Sequence, residues 1–211
     1  MANNSKSIAI LGAGKLGVTL AQLALTAGYT VYISGSGTPE KIRLSMKVLA
    51  PGAIVTSSEN AVRHTNLVIL AMPLGKYKTI PKDILAGKLV IDSMNYWWEV
   101  DGEREDLRNL ETSTSETVQS YFSSSRVVKA LSHMGYHHLS DGAATKGSSE
   151  RKAIAIAGDN LADSKNIAII VDDLGFDPLI IGDLATGKQL QPGYIAFGAN
   201  VDRETLKSYF L

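Results

Sequence analysis

A glycine-rich turn near the start of the chain constrains the fold more than any other sequence feature. Gly12-Ala13-Gly14-Lys15-Leu16-Gly17 follows the apolar run Ser7 to Leu11 and opens a stretch whose apolar residues recur every three or four positions. Between a strand and a helix, these glycines permit a tight bend, close approach of a ligand and close helix packing. Free N–H groups at the helix N-terminus attract phosphate. The pattern therefore favours a dinucleotide-binding turn over a strand–helix turn without a ligand.

Short apolar runs alternate with amphipathic stretches along the rest of the chain. Strands are predicted at residues 30–33, 54–55, 67–72, 89–91, 126–131, 152–157 and 178–181, with helices between most of them. Such alternation is typical of a parallel sheet, because right-handed crossovers place helices on both faces. We predict an α/β fold, a Rossmann-type doubly wound parallel sheet with a small C-terminal extension. Residues 1–131 are predicted to form the dinucleotide-binding Rossmann domain, and residues 132–211 a C-terminal lobe that completes the sheet.

The composition argues against several classes of protein. Lys and Arg together number 21, as do Asp and Glu, so the formal net charge is zero. Binding to DNA or RNA needs a surplus of cations, and we expect no nucleic-acid partner. The absence of Cys removes disulfides and thiolate metal sites. No apolar run approaches the roughly 18–20 residues that cross a bilayer, and the start, Met1 to Lys6, does not resemble a signal peptide. We expect a soluble cytoplasmic protein with no membrane partner.

The end of the second predicted strand indicates which dinucleotide is bound. In NAD-binding sites an Asp or Glu about 20 residues past the glycine turn holds the ribose hydroxyls. Here that segment reads Ser34-Gly35-Ser36-Gly37-Thr38, and the first acid is Glu40. Without a carboxylate to repel it, a 2′-phosphate can bind hydroxyls and backbone N–H groups, with Lys41 or Arg43 nearby for charge. We therefore predict NADP as the cofactor, the alternative being an ordinary Ser/Gly turn that binds NAD weakly.

Five further segments accompany the glycine turn: Gly35-Ser36, Leu70-Ala71-Met72-Pro73, Asp92-Ser93-Met94-Asn95, Val127-Val128-Lys129-Ala130 and Ala157-Gly158-Asp159. With residues 12–17 they give the chain a resemblance to the coenzyme F420-dependent NADP reductases, F420 being a deazaflavin cofactor. The resemblance covers nearly the whole chain. The cytoplasmic oxidoreductase domains of the STEAP metalloreductases resemble the same family.

The resemblance implies NADP in the glycine turn, with Gly35-Ser36 at the 2′-phosphate. It also implies a smaller C-terminal lobe, here residues 132–211, that completes an electron-acceptor pocket. Two positions depart from the family's pattern. The family usually has Arg after that serine, where this chain has Gly37, and often Pro after the Asn of the fifth strand, where it has Tyr96-Trp97-Trp98. The acceptor side has therefore diverged.

Loops at the carboxyl ends of parallel strands line the ligand crevice of an open sheet. The loops in this position are Ala71-Met72-Pro73, Met94-Asn95 and the segment from Ser132 to His138. We expect the first two to belong to the cofactor site, with Met72, Pro73 and Asn95 beside the nicotinamide ring. His133 is predicted as the catalytic residue, a hydrogen-bond donor to the acceptor's carbonyl or ring nitrogen. The alternative is a loop with satisfied or solvated imidazoles.

The aromatic and histidine residues of the second half carry further expectations. His133, His137 and His138 invite a metal site, since imidazole is a common zinc ligand. Gly135 interrupts the helical face on which they could converge, so no metal is predicted. Trp97-Trp98 either stack on a flavin-like ring or bury a dimer or core contact, since aromatic residues are enriched in both settings. We expect a homodimer.

Hydride transfer between nicotinamide and a flavin-like ring mainly requires two flat rings in alignment, so the lack of an evident acid–base set does not exclude an enzyme. We predict an NADP-dependent oxidoreductase that transfers hydride between NADPH and a deazaflavin or flavin-type acceptor, a small molecule. Two alternatives remain open. One is a dehydrogenase or reductase of a small carbonyl or imine, and the other is a non-catalytic NADP(H)-binding sensor.

Overall fold

The computed structural model describes residues 6–107 and 111–211. Within them, eight strands form one sheet in the order β3-β2-β1-β4-β5-β6-β7-β8. The strands are β1 Ser7–Leu11, β2 Thr30–Ser34, β3 Ile54–Val55, β4 Leu67–Leu70, β5 Leu89–Asp92, β6 Arg126–Lys129, β7 Ala153–Ala157 and β8 Asp177–Gly182. The chain reverses its direction of progress across the sheet between β1 and β4, the position where open α/β sheets form a crevice.

Helices cover both faces of the sheet. They are α1 Lys15–Thr26, α2 Glu40–Leu49, α3 Ser58–Arg63, α4 Trp98–Asp101, α5 Thr114–Tyr121, α6 Tyr136–Gly142, α7 Leu161–Asp173 and α8 Arg203–Ser208, with 3-10 helices at Leu74–Thr79, Lys82–Leu85 and Ala185–Leu190. The β1 side chains alternate between the two resulting cores: Ile8 and Ile10 pack with α1 and α7, and Ala9 and Leu11 with α3 and α5. The predicted Rossmann-type doubly wound fold is confirmed.

One pair of strands departs from the predicted parallel arrangement. All other neighbouring strands are parallel, but β6 and β7 run antiparallel and meet only at Lys129 and Ala157. A parallel pair needs a crossover along the sheet. The connection between β6 and β7 contains one helix, the seven-residue α6. This helix packs against α1 near the glycine turn and does not cross along the sheet to start a parallel strand. With that single pairing, β7 continues beyond the carboxyl end of β6.

The ends of several helices follow the sequence signals. Ser113 and Glu116, three residues apart at the start of α5, form a capping box in which each side chain bonds the other residue's backbone N–H. Gly28 and Gly175 follow α1 and α7 with φ of 81° and 97°, the left-handed conformation that glycine adopts without strain. No helix of the described ranges, 6–107 and 111–211, is long and apolar enough to span a membrane. We predict from Met1 to Lys6 that the chain does not start with a signal peptide. Met1 to Ser5 lie outside the described residues.

Candidate functional site

The three glycines of the turn between β1 and α1 meet different surroundings. A Cβ on Gly12 would overlap the carbonyl oxygen of Ala71, and Gly12 has a φ of 129°. A Cβ on Gly17 would overlap the Gly12 carbonyl oxygen, so this glycine lets α1 pack directly on the turn. A Cβ on Gly14 would meet no atom within 4 Å. Gly12 and Gly17 are therefore required by packing, whereas Gly14 leaves open space at the start of α1.

Two adjoining cavities lie beside this turn. The smaller one has a volume of about 340 Å³ and brings together nine of the predicted cofactor residues, Gly12, Ala13, Gly14, Ser34, Gly35, Ser36, Ala71, Met72 and Pro73. The larger one has a volume of about 800 Å³ and is lined by the other predicted site residues apart from Gly17, namely Lys15, Leu16, Met94, Asn95 and His133. Gly17 is buried beneath the turn. Gly14 and the segment Ala71 to Pro73 border both cavities, which therefore form one continuous groove along the crevice.

Lys41 and Arg43, the two cations that the sequence offers to a 2′-phosphate, have different neighbours in the structure. The guanidinium of Arg43 pairs with Glu40 at 3.1 Å. The side chain of Lys41 instead lies across Gly37, with its Nζ 3.0 Å from the position of a Cβ on that glycine. Ser34 is engaged with Ser58 through an Oγ–Oγ contact of 2.9 Å. Lys41 is therefore the cation that lies over the turn containing Ser36.

The larger cavity has mostly apolar walls. Met72, Met94 and Leu131 border it on the side of the sheet. Trp97 and Phe197 border it as well, with ring centroids 5.5 Å apart. Trp97 is half exposed, whereas Trp98 is exposed and is not among the lining residues. Such walls suit a flat, largely apolar ring system.

Three buried polar side chains in the wall, Asn95, Ser132 and His133, are incompletely bonded. The Nδ2 of Asn95 donates to the backbone oxygen of Ser132 at 2.7 Å. The Oδ1 of Asn95 and the Oγ of Ser132 have no hydrogen-bond partner among the described residues. Leu131, immediately before Ser132, has a φ of 61°, the one positive φ at a non-glycine residue in the described chain. Unpaired buried groups and backbone strain concentrate at ligand sites.

An ion pair beneath the cavity was not predicted from the sequence. Lys129 and Asp92 are fully buried, with Nζ 3.8 Å from Oδ2. The Lys129 ammonium donates to the Met94 carbonyl at 2.8 Å, while Asp92 accepts from the Met94 N–H at 3.0 Å and from the Ser115 hydroxyl at 2.6 Å. Burial lowers the pKa of Lys129, and the Asp92 carboxylate opposes that shift. The pair holds the Met94-Asn95 loop from both sides. The feature of the sequence that could have indicated this ion pair is a lysine, Lys129, at the end of an apolar strand.

His133 is buried, and its two ring nitrogens differ: Nδ1 has no hydrogen-bond partner among the described residues, whereas Nε2 has one. Its Nε2 accepts a hydrogen bond from the Ala155 N–H on β7 at 3.1 Å. Burial lowers the pKa of His133 to about 4, against a smaller opposing effect of the Ala196 backbone. The imidazole is therefore neutral at neutral pH and anchored to the sheet. Its predicted role towards an acceptor stays a prediction.

We expect His133 to make the protein sensitive to acid. The unfolded imidazole takes up a proton near pH 6.5 and the folded one near pH 4. Between these values the unfolded state binds more protons, so stability that is present above about pH 6.5 is lost as pH falls towards 4. The loss should be about 2–4 kcal/mol. Urea unfolding at several pH values measures it.

The matched variant is His133→Gln, because its amide oxygen can still accept from Ala155 but does not titrate. Its free energy of unfolding should vary less with pH over this range than that of the parent protein. Equal slopes for the two proteins would contradict the assignment.

The other histidines of this segment are separated from His133. His137 and His138 are exposed on α6, whereas His133 is in the core. Within residues 6–107 and 111–211, no group of three or more His, Asp or Glu side chains is placed to hold a metal ion. The ring of Tyr136 at the start of α6 lies under the Lys15 ammonium, which is 5.4 Å from its centroid. This contact joins the glycine turn to the loop beyond β6.

The sheet order and the glycine turn, with a groove along the crevice beside it, define a protein of the Rossmann-type fold. Residues 7–96 match the family described as NADP oxidoreductase, coenzyme F420-dependent. The resemblance to this family that the sequence predicts is thereby confirmed.

One relative and two solved structures are also similar to this chain. The chain is 28% identical over 186 residues to metalloreductase STEAP3 of Rattus norvegicus, which covers 87% of this chain but only 35% of that protein. A hypothetical protein from Sinorhizobium meliloti has the same fold, with a TM-score of 0.78, 22% identity and coverage of 94% of this chain and 96% of its own. A candidate F420-dependent NADP reductase from Arthrobacter sp. FB24 gives a TM-score of 0.72, 23% identity and 86% coverage of both chains.

Proposed function

We propose that the protein is an NADP-dependent oxidoreductase that transfers hydride between NADPH and a flat acceptor ring of the flavin or deazaflavin type. The observation that carries the proposal is the larger cavity: an apolar, aromatic-walled space that continues directly from the glycine turn. Residues 132–211 supply its far wall through the loop after β6 and through Phe197 and Gly198. This lobe therefore completes the acceptor pocket.

The residues present fit the cofactor. The open space at Gly14 lies at the N-terminus of α1, where a diphosphate accepts hydrogen bonds from backbone N–H groups, with Lys15 beside it. Ser36, the N–H groups of its turn and Lys41 are available to a 2′-phosphate. The unpaired Oδ1 of Asn95 can accept from a carboxamide N–H. NADPH bound in this way supplies a hydride, with two electrons and one proton, to the acceptor, and solvent supplies the second proton.

The protein's own contribution is position and exclusion of water. Asn95 and Met94 are held by the buried Lys129–Asp92 pair, so the floor of the cavity is rigid. Asp101 has both carboxylate oxygens engaged, and His133 is neutral and bonded to β7. A carbonyl substrate needs a proton donor in the transition state. A flavin-type ring needs none from a side chain, and the apolar, aromatic walls of the larger cavity support a ring of this type.

The direct test is consumption of NADPH with a panel of acceptors: a deazaflavin, FMN, riboflavin, a cyclic imine and a small ketone. Turnover with the ring acceptors is expected. Turnover only with the imine or the ketone would contradict the proposal in favour of the first alternative. Tight NADPH binding without consumption by any acceptor would instead support the sensor.

The cofactor preference is tested by Lys41→Ala with Arg43→Ala as its control. Loss of the Lys41 charge should weaken NADPH binding by about 1 kcal/mol, roughly fivefold in Kd, and leave NADH binding unchanged, because only NADPH carries the 2′-phosphate. Arg43 is occupied by Glu40, so its removal should change neither Kd. Titration of both cofactors into each variant measures the effect. An equal loss for NADH, or the same loss in the Arg43 variant, counts against a 2′-phosphate site at Lys41.

A further inference from the structure

The side chains of Lys15 and Tyr136 connect the starts of two helices beside the groove. Lys15 is the first residue of α1, directly after Gly14, and Tyr136 is the first residue of α6. The Lys15 ammonium lies over the Tyr136 ring, 5.4 Å from its centroid, and a cation is attracted to the face of an aromatic ring at this range. Both residues line the larger cavity. The contact therefore belongs to the wall of the groove.

The Tyr136 ring has a fixed position, because its neighbours along the chain are anchored. Tyr136 itself is half-buried. Met134 and Leu139, before and after it, are buried in the core that also holds the inner face of α1. The Leu139 N–H donates to the Gly135 carbonyl at 3.0 Å, and α6 packs against α1. The segment after β6 thus presents the ring to α1 from a rigid support.

Lys15, in contrast, is exposed on a flexible four-carbon stem. It forms no ion pair within residues 6–107 and 111–211. It is also the one Lys or Arg among the residues that line the larger cavity. A mobile lysine loses side-chain entropy when it binds a phosphate. A lysine that is already held over a ring has lost part of that entropy beforehand, so that it binds the phosphate more tightly.

The ring leaves the ammonium free to bind an anion. An ammonium has three N–H donors, and an aromatic ring on one side of it does not occupy the others. The ring carries no charge, so its attraction is weaker than that of a phosphate oxygen. The Lys15 ammonium can therefore donate to a diphosphate at the N-terminus of α1 while the Tyr136 ring remains in contact with it.

Resting on the proposed function, we infer that Tyr136 is a positioning residue for the cofactor: its ring holds the Lys15 ammonium where the diphosphate of NADPH binds. The ammonium belongs to the glycine turn, and the ring belongs to residues 132–211. The C-terminal lobe therefore takes part in binding the cofactor as well as in forming the wall of the larger cavity.

The test compares Tyr136→Leu, which removes the ring, with Tyr136→Phe, which keeps it. The Kd for NADPH is measured by titration into each whole protein. It should rise about two- to fivefold in the leucine variant and stay unchanged in the phenylalanine variant, because only the ring face holds the cation. In a Lys15→Met background, Tyr136→Leu should have no further effect, since a residue that acts through Lys15 has nothing left to position.

Two controls separate positioning from a general effect on the fold or on charge. Lys82→Met removes a cation that lies 4.4 Å from the Tyr121 ring centroid, outside both cavities, and should leave the Kd for NADPH unchanged. Adenosine 2′-phosphate carries the 2′-phosphate but no diphosphate. Its Kd should be the same for the parent protein, Tyr136→Leu and Lys15→Met.

Three results would overturn the inference. Tyr136→Leu could weaken NADPH binding equally with and without Lys15, or weaken the binding of adenosine 2′-phosphate as much as that of NADPH. In either case its effect does not pass through Lys15. It could also bind NADPH more tightly than the parent, and the ring would then hold Lys15 away from the diphosphate. The proposed function is judged by turnover: if the predicted coupling is found but no ring acceptor consumes NADPH, the proposed function is wrong and this inference stands.

Discussion

Gly14→Ala is expected to fold like the parent protein and to lose NADPH binding, whereas Gly12→Ala should lose stability as well. Alanine at position 14 fits the backbone, since φ is −80° and no atom lies within 4 Å of its Cβ. That methyl group, however, occupies the space where a diphosphate approaches the turn. We expect a ten- to hundredfold increase in the Kd for NADPH, about 1.4–2.8 kcal/mol.

At position 12 the added Cβ overlaps the Ala71 carbonyl and demands a φ of 129° from a residue with a side chain. Strain and overpacking should together cost about 2–6 kcal/mol of the free energy of unfolding. Thermal unfolding and NADPH titration of the two variants separate the effects. Normal NADPH binding by the Gly14 variant would show that the diphosphate does not pass this glycine. A large loss of Tm in it would contradict the expectation that alanine fits the backbone there.

Lys129→Met should be the most destabilising substitution at the cavity floor. It removes the ammonium and leaves the Asp92 carboxylate fully buried without a counter-charge. Breaking a buried pair in this way typically costs about 3–5 kcal/mol. The free energy of unfolding in urea measures the loss, and circular dichroism checks that the variant is folded.

The double variant Asp92→Asn with Lys129→Met tests the cause. An amide at position 92 can still accept from the Met94 N–H and bond the Ser115 hydroxyl, but it carries no charge to leave unpaired. The double variant should therefore be more stable than Lys129→Met alone. If it is no more stable, an unpaired carboxylate at position 92 is not the cause of the loss.

The part of the fold that depends on local patterns could be predicted from the sequence. A short apolar run, a glycine turn and a helical repeat predict β1 and α1 with little ambiguity, because each requires only neighbours along the chain. The capping box at Ser113 was visible for the same reason. The predicted cofactor residues of the turn and of the strand ends then border one groove, since parallel strands bring their carboxyl ends together.

Features that depend on distant residues could not be predicted. Asp92 and Lys129 lie on different strands, and neither local sequence pattern indicates that the two side chains form an ion pair. The choice between Lys41 and Arg43 was open because it depends on which one Glu40 engages. The partner of His133 lies on β7, a strand whose direction was itself predicted wrongly. In each case the missing information is a tertiary contact.

The antiparallel β7 has a consequence for how this molecule can change over evolutionary time. Because β7 continues past the carboxyl end of β6, the sheet itself extends alongside the loop that begins at Ala130, and His133 attaches that loop through a backbone N–H of β7. This side of the larger cavity is thus supported by main-chain structure, which does not depend on the outward-facing side chains. Exchange of Trp97 or Glu99 can alter which molecule fits while the scaffold stays in place. The same sheet could therefore bind different ligands after a few substitutions among the side chains that line the larger cavity.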